Sequence, residues 1–156
     1  MHALKYRGWH VVAAGMAERM ARLPWPRDVI DERAAVVPVP LAPERERERG
    51  YNQSERLAYA LAREWSVPLW SHVIERTRRT ATQTRLTPGE RLVNVSGAFR
   101  APTRARETLR GRHVVLVDDV VTTAATLNAC AVALHAAGTR IVSFVTFGRA
   151  PAAGDR

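Results

Sequence analysis

The period of the hydrophobic pattern changes several times along the 156-residue chain, and each change marks an element. From about His10 to Leu23 apolar residues recur at helical spacing, with Val12, Met16, Met20 and Leu23 on one side. Pro24 and Pro26 end that helix, because proline lacks an N–H and restricts the residue before it. Ala34 to Pro40, AAVVPVP, is a short apolar run closing on prolines, which suits a strand that exits into a loop. LAPERERERG begins as a charged loop. Asn52, with Glu55 three residues later, then opens a helix in the manner of a capping box, and Leu57, Leu61 and Trp65 share its apolar face. VPLWSHVIER reads as another strand. Thr87-Pro88-Gly89-Glu90 is a further helix start, with Pro88 placed for the first helical position, and SGAFRAP is a short extended piece.

The last third carries the sharpest pattern. Val114 to Val117 is too uniformly apolar for a half-exposed strand and suits a buried parallel one. Thr123 to Ala137 has helical spacing, with Leu127, Ala131 and Leu134 inward and Gly138 at the C-terminal cap. Ile141 to Phe147 is the next strand. Strand, helix and strand form a right-handed crossover, so the expected fold class is α/β with a mainly parallel, twisted sheet flanked by helices. No repeat or linker divides the chain, which predicts one domain over 1–150 and a short tail over 151–156. Ligands of such sheets bind beyond the carboxyl ends of the strands.

Composition narrows the function classes. With 46% apolar and 25% charged residues the chain has the balance of a soluble globular protein. No run approaches the roughly 20 apolar residues of a membrane span, and the first residues lack the ordered regions of a signal peptide, so a cytoplasmic location is expected. The single cysteine, Cys130, excludes an intrachain disulfide and a cysteine-based zinc site, and its alanine-rich helical setting makes it a packing residue. His2, His10, His72, His113 and His135 show no metal-ligand spacing, so no protein-held metal is expected. The net charge of +9 points to anionic partners. That inference is discounted because every basic residue except Lys5 is arginine, a skew that coding bias can produce, and because the charge carries almost no interleaved aromatic pattern to stack bases.

The candidate chemistry lies in VVLVDDVVTTAATL, Val114 to Leu127. Thr122, Thr123 and Thr126 surround a helix start, where free N–H groups and the helix dipole favour an anion. Asp118 and Asp119 would repel a phosphate they faced, but they suit the vicinal hydroxyls of a ribose. The stretch reads either as a solvated turn with capping threonines or as a site for a ribose 5-phosphate. The common nucleotide signatures G-x-x-x-x-G-K-[ST] and G-x-G-x-x-G are absent.

The order of residue types in this stretch resembles the phosphoribosyl-pyrophosphate motif of type I phosphoribosyltransferases. ALKYRG, VVPVPLAPERERERGYNQSERLA, RTRRTATQTRLTPGERLVNVSGAF and the acid motif, in that order, are similar to the ComF family, associated with natural competence. The resemblance spans Leu4 to about Phe147 and implies a type I phosphoribosyltransferase-like fold with a small flexible hood or flap. It implies that Val121, Thr122, Thr123, Ala124, Ala125, Thr126 and Leu127 hold the 5-phosphate, with Asp118 and Asp119 at the ribose hydroxyls as catalytic residues. It places the pyrophosphate near Pro38 to Pro40 and against Arg45, Arg49, Gly50, Asn52 and Gln53. The flexible cover would run from Arg76 to Arg91, with Arg76, Thr80 and Gln83 as contacts. Magnesium (Mg2+) would be held mainly by the ligand's own oxygens. The implied activity is phosphoribosyl transfer to a nitrogen acceptor, a pentosyltransferase reaction of nucleoside metabolism. The alternative is a non-catalytic competence or DNA-uptake accessory that binds nucleotide, single-stranded DNA or other competence proteins, and a homo-oligomer is compatible with either. Two departures stand out. ComF proteins carry a four-cysteine zinc module before the KYRG element, with no counterpart in this sequence, and their Thr-Thr-Gly-Ala-Thr is Thr-Thr-Ala-Ala-Thr here, with Ala124 in place of glycine.

Overall fold

The computed structural model describes residues 2–77, 97–121 and 124–149, with side chains from Val12 onward. The chain runs through α1 (His2–Ala21), α2 (Arg27–Glu32), β1 (Arg33–Pro38), α3 (Pro43–Arg49) and α4 (Gln53–Glu64). It continues with β2 (Glu75–Arg76), β3 (Phe99–Arg100), a 3-10 turn (Thr103–Ala105) and α5 (Arg106–Leu109). It then forms β4 (His113–Val121), α6 (Ala125–Ala136) and β5 (Ile141–Arg149). The expected α/β architecture is present: β1, β4 and β5 make a parallel sheet in that order, with β4 in the middle.

Alternation along β4 explains why the run is apolar on both faces. Val114 and Leu116 pack with Leu109, Leu127, Cys130 and Leu134, whereas Val115 and Val117 pack with Met20, Val36, Leu57 and Leu61. All four β4 residues are fully buried between the two helical layers. Cys130 is a packing residue, as its setting predicted.

Several local expectations need correction. The buried stripe of α1 is Ala13, Ala17 and Met20, with Met16 half-buried, while Val12 and Leu23 are exposed. The small alanines let α1 lie close against α4, so size rather than hydrophobicity selects the face. The charged segment after β1 is a helix, α3, not a loop. Pro43 occupies its start, acids fill its first turn, arginines fill its last, and Gly50 ends it at φ 78°, a left-handed conformation natural to glycine. VPLWSHVIER forms no continuous strand. Leu69 bridges the outer edge of β1 at Val36, and only Glu75–Arg76 pairs again, antiparallel to Phe99–Arg100. Pro68 cannot donate to a ladder, which breaks the strand there. The helix start at Thr87 lies outside the described residues, as does the tail over 151–156.

The α1 correction is measurable. Val12→Ser should change stability by no more than about 0.5 kcal/mol in denaturant unfolding. Ala17→Leu, which overfills the α1–α4 contact, should destabilise by about 1–3 kcal/mol.

Candidate functional site

The parallel ladder sets the position of the acid pair. β4 does not stop at Val117; it continues through both acids to Val121, with Asp118 opposite Thr146 and Val120 opposite Gly148 on β5. The expectation that the strand ends before the acids is therefore corrected. Continued pairing with β5 keeps the backbone extended while the side chains change from apolar to acidic.

Asp118 is held by two donors on one oxygen. The hydroxyl of Ser54 donates to Oδ1 at 2.7 Å, and the Asp119 N–H donates to the same atom at 3.0 Å. Both of these donors take Oδ1, which leaves Oδ2 clear of them. Burial pushes the Asp118 carboxyl up to about 6, against the Ser54 hydrogen bond and with the charge of Asp119. The Asp119 carboxylate accepts from the Val120 N–H at 2.8 Å, so each acid uses one oxygen to fix the strand end.

The start of α4 forms the opposing wall. Asn52 is buried and caps that helix: its Oδ1 accepts from the Ser54 N–H at 3.1 Å, and its Nδ2 donates to the Val39 carbonyl at 3.0 Å. Both polar ends of Asn52 thus serve the protein. Arg49 is exposed and its guanidinium donates to Gln53 Oε1 at 2.5 Å across Gly50. Arg45 and Arg49 stand four apart on α3, which puts them on one helical face. Arg76, on β2, lies over the Phe99 ring at 5.4 Å. Burial, then the charge of Arg45, lowers its pKa, while Cys130 and Asp118 act the other way. The structure thereby brings Arg45, Arg76 and Asp118 into one electrostatic neighbourhood from three separate segments. A groove of about 530 Å³ runs from Pro40 and Leu41, past Arg76 and Thr77, to Arg100.

The loop after β4 reaches α6 through Ala124, which sits at φ 56°, ψ 5°. This is the left-handed region, and a side chain there is strained. Ala124 occupies the cap position, and its methyl group offers no acceptor to the first N–H groups of α6. Ala125 and Leu127 are buried in the core, which leaves their backbone rather than their side chains for a ligand. Val121 and Thr126 lie at the end of β4 and in the first turn of α6. Thr122, Thr123, Thr80 and Gln83 lie outside the described residues.

One contributor escaped the sequence reading. Ser54 lies inside the recognised NQSERLA run, yet nothing in its spacing pairs it with an acid sixty-four positions later.

A parallel sheet with acids at the exit of its central strand, together with the antiparallel β2–β3 pair, has the architecture of the type I phosphoribosyltransferase class. The glutamine phosphoribosylpyrophosphate amidotransferase of Bacillus subtilis, solved with ADP and GMP, shares the fold at a TM-score of 0.56 and 18% identity, covering 88% of this chain and 26% of that one. The chain belongs to the phosphoribosyl transferase domain family, matched over residues 52–155, and its relatives place it in the ComF branch. It is 39% identical over 94 residues to competence protein F of Haemophilus influenzae, covering 60% of this chain and 41% of that protein. It is 44% identical over 93 residues to the DNA utilization protein YhgH of Escherichia coli, covering 59% of this chain and 39% of that protein. The chain thus spans about two fifths of the length of these relatives. Among the described residues, no helix is long and apolar enough to cross a membrane.

The strain at Ala124 predicts a gain on substitution. A left-handed alanine costs about 1–2 kcal/mol, and glycine gives back about 0.5–1 kcal/mol through its freer unfolded chain. Ala124→Gly should therefore raise the melting temperature by about 1–4 °C in calorimetry, and Ala124→Val should lower it.

Proposed function

We propose that the protein binds phosphoribosyl pyrophosphate with magnesium at the exits of β1 and β4 and transfers the phosphoribosyl group to a nitrogen acceptor. The observation that supports this reading is the Asp118 carboxylate, held through Oδ1 at the exit of β4, near a helix start reached through a left-handed turn. Asp118 and Asp119 accept the ribose 2- and 3-hydroxyls. The loop from Val121 to Leu127, Thr122 and Thr123 included, surrounds the 5-phosphate with backbone N–H groups. Arg45, Arg49, Gly50, Gln53 and Arg76 face the diphosphate, and Gln83 belongs to the cover above it. Asn52 serves this wall through its cap and its bond to Val39.

In the transfer, the bond from the anomeric carbon to the diphosphate oxygen breaks, and the diphosphate leaves with the electron pair. The acceptor nitrogen's lone pair forms the new bond, and its surplus proton passes to solvent. The anomeric carbon is cation-like between these events, so the chain's task is positioning and charge stabilisation rather than nucleophilic attack. Magnesium, carried mainly by the ligand's own oxygens, neutralises charge on the diphosphate when bound. The carboxylate oxygens beside the ribose position are the hard donor type this ion accepts. Cys130 is excluded as a nucleophile, since burial pushes its thiol far above the usual range.

Calorimetry with phosphoribosyl pyrophosphate and magnesium tests this directly. Binding should be measurable at millimolar ligand or below, and Asp118→Asn and Asp119→Asn should abolish it. Heatless titration of the unaltered protein would remove the reading. Because the ionised Asp118 is the acceptor and its pKa lies near 6, affinity should be full at pH 7.5 and fall as pH drops through 6. The loss should approach about tenfold per pH unit below that point.

A second reading, a competence accessory that handles single-stranded DNA, is favoured by a basic ledge on the opposite rim of the sheet. Arg106, Arg110 and Arg112 precede β4 and are exposed, and no ion pair among the described residues involves them. The Gly111 N–H donates to the Gly138 carbonyl, and the Arg140 N–H to the Arg112 carbonyl, each at 2.9 Å. These bonds bring Arg140 alongside, with its guanidinium paired to Glu32. A phosphate chain on this ledge would release counterions. Replacing Arg106, Arg110 and Arg112 by alanine should then reduce the slope of log affinity against log salt by about 2. DNA binding that is undetectable or independent of salt would eliminate the ledge as a docking surface.

A further inference from the structure

The first turn of α4 makes two bonds that no sequence motif assigns. Ser54 Oγ donates to Asp118 Oδ1 at 2.7 Å, and Asn52 Nδ2 donates to the Val39 carbonyl at 3.0 Å, beyond the end of β1. Asn52 Oδ1 links the two by accepting from the Ser54 N–H at 3.1 Å. Val39 is joined in turn to β4, since its N–H donates to the Val117 carbonyl at 2.9 Å, one residue before Asp118. Both side chains are buried, Asn52 at 8% exposure and Ser54 at 5%. The result is a closed circuit: α4 start, β1 exit, β4 exit, and back to α4.

We propose that Ser54 is a positioning residue that aims the Asp118 carboxylate at its ligand, and that Asn52 ties the same helical turn to the β1 exit so the two walls of the site are held as one unit. The inference rests on the ribose role of Asp118 given above. By filling Oδ1, the hydroxyl of Ser54 fixes the carboxylate plane and leaves Oδ2 clear of this bond. A carboxylate with one filled oxygen presents a single orientation to a hydroxyl pair, where an unheld one would rotate. Among the described residues, the other charged or titratable groups around Asp118 are Asp119 on the same strand, Arg76 on β2 with Arg45 of α3 beyond it, and Cys130 on α6. The Ser54 hydroxyl donates to Asp118, and its hydrogen bond favours the ionised form.

The test separates this inference from the function it rests on. The Asp118 carboxyl carbon is followed by NMR across pH in ligand-free protein for the unaltered chain, Ser54→Ala, Ser54→Cys and Ser54→Thr. Loss of the hydroxyl donor should move the Asp118 midpoint upward by about half a pH unit or more in the Ala and Cys proteins. Ser54→Thr should restore it. The near-isosteric cysteine keeps the experiment decisive should the alanine protein fail to fold. Calorimetry on the same proteins at pH 7.5 should show phosphoribosyl pyrophosphate bound about threefold to tenfold more weakly in the Ala and Cys proteins and normally in the Thr protein. The ligand's own titration is common to all four and cancels in the comparison. An unchanged midpoint, or unchanged affinity in a folded Ala or Cys protein, overturns the positioning role. A shifted midpoint together with no binding by the unaltered protein overturns the ribose reading instead, and leaves the Ser54–Asp118 bond standing.

Discussion

Everything at the candidate site depends on β4 being hydrogen-bonded on both edges. A central parallel strand has no exposed backbone, so its side chains must be apolar on both faces for as long as helices cover them. Val114 to Val117 meets that condition against α4 and α1 on one face and α6 on the other. Where the helical cover ends, the ladder to β5 continues, and the strand can carry acids without losing its geometry. The acids are thus placed by the same ladder that organises the core, which makes their position stiff.

The stiffness is bought locally with polar contacts rather than with packing. Asp118 is buried enough for its carboxyl to rise to about 6, so it needs donors, and it finds them in Ser54 and in the next residue's own N–H. On the other side of the same strand exit, the chain reaches α6 through an alanine in a conformation natural to glycine. Strain at a left-handed residue persists only where surroundings impose it. Here the buried Ala125 and Leu127 that follow anchor α6 and hold the turn. Family membership gives these features a common setting, the phosphoribosyl transferase domain.

Much of this was legible from residue types in order. The parallel core, the Asn52 cap, the packing role of Cys130 and the family itself follow from short-range patterns, because each is decided by neighbours within one or two turns or along one strand. Departures occurred where a local rule met a distant surface. Val12 and Leu23 read as core because they are apolar, but the α1 face that meets α4 carries Ala13, Ala17 and Met20, and Leu23 lies beyond the helix end. ERERER read as a loop because it is charged all round, whereas its ends carry Pro43 and Gly50, and its charges run acid to base along the helix dipole.

The sequence by itself determined the β4 run, the acids that follow it, the helix that caps on Asn52 and the alanine that replaces a glycine in the loop. Hydrophobic period, capping chemistry and residue order decide these without knowledge of what lies across the sheet. Only the tertiary structure decided that β4 runs on through its acids, that Ala124 takes a positive φ, and that Ser54 meets Asp118. The physical reason is distance along the chain. A donor on α4 and an acceptor on β4 become neighbours only after β1 and β4 pair, and no local propensity carries that information.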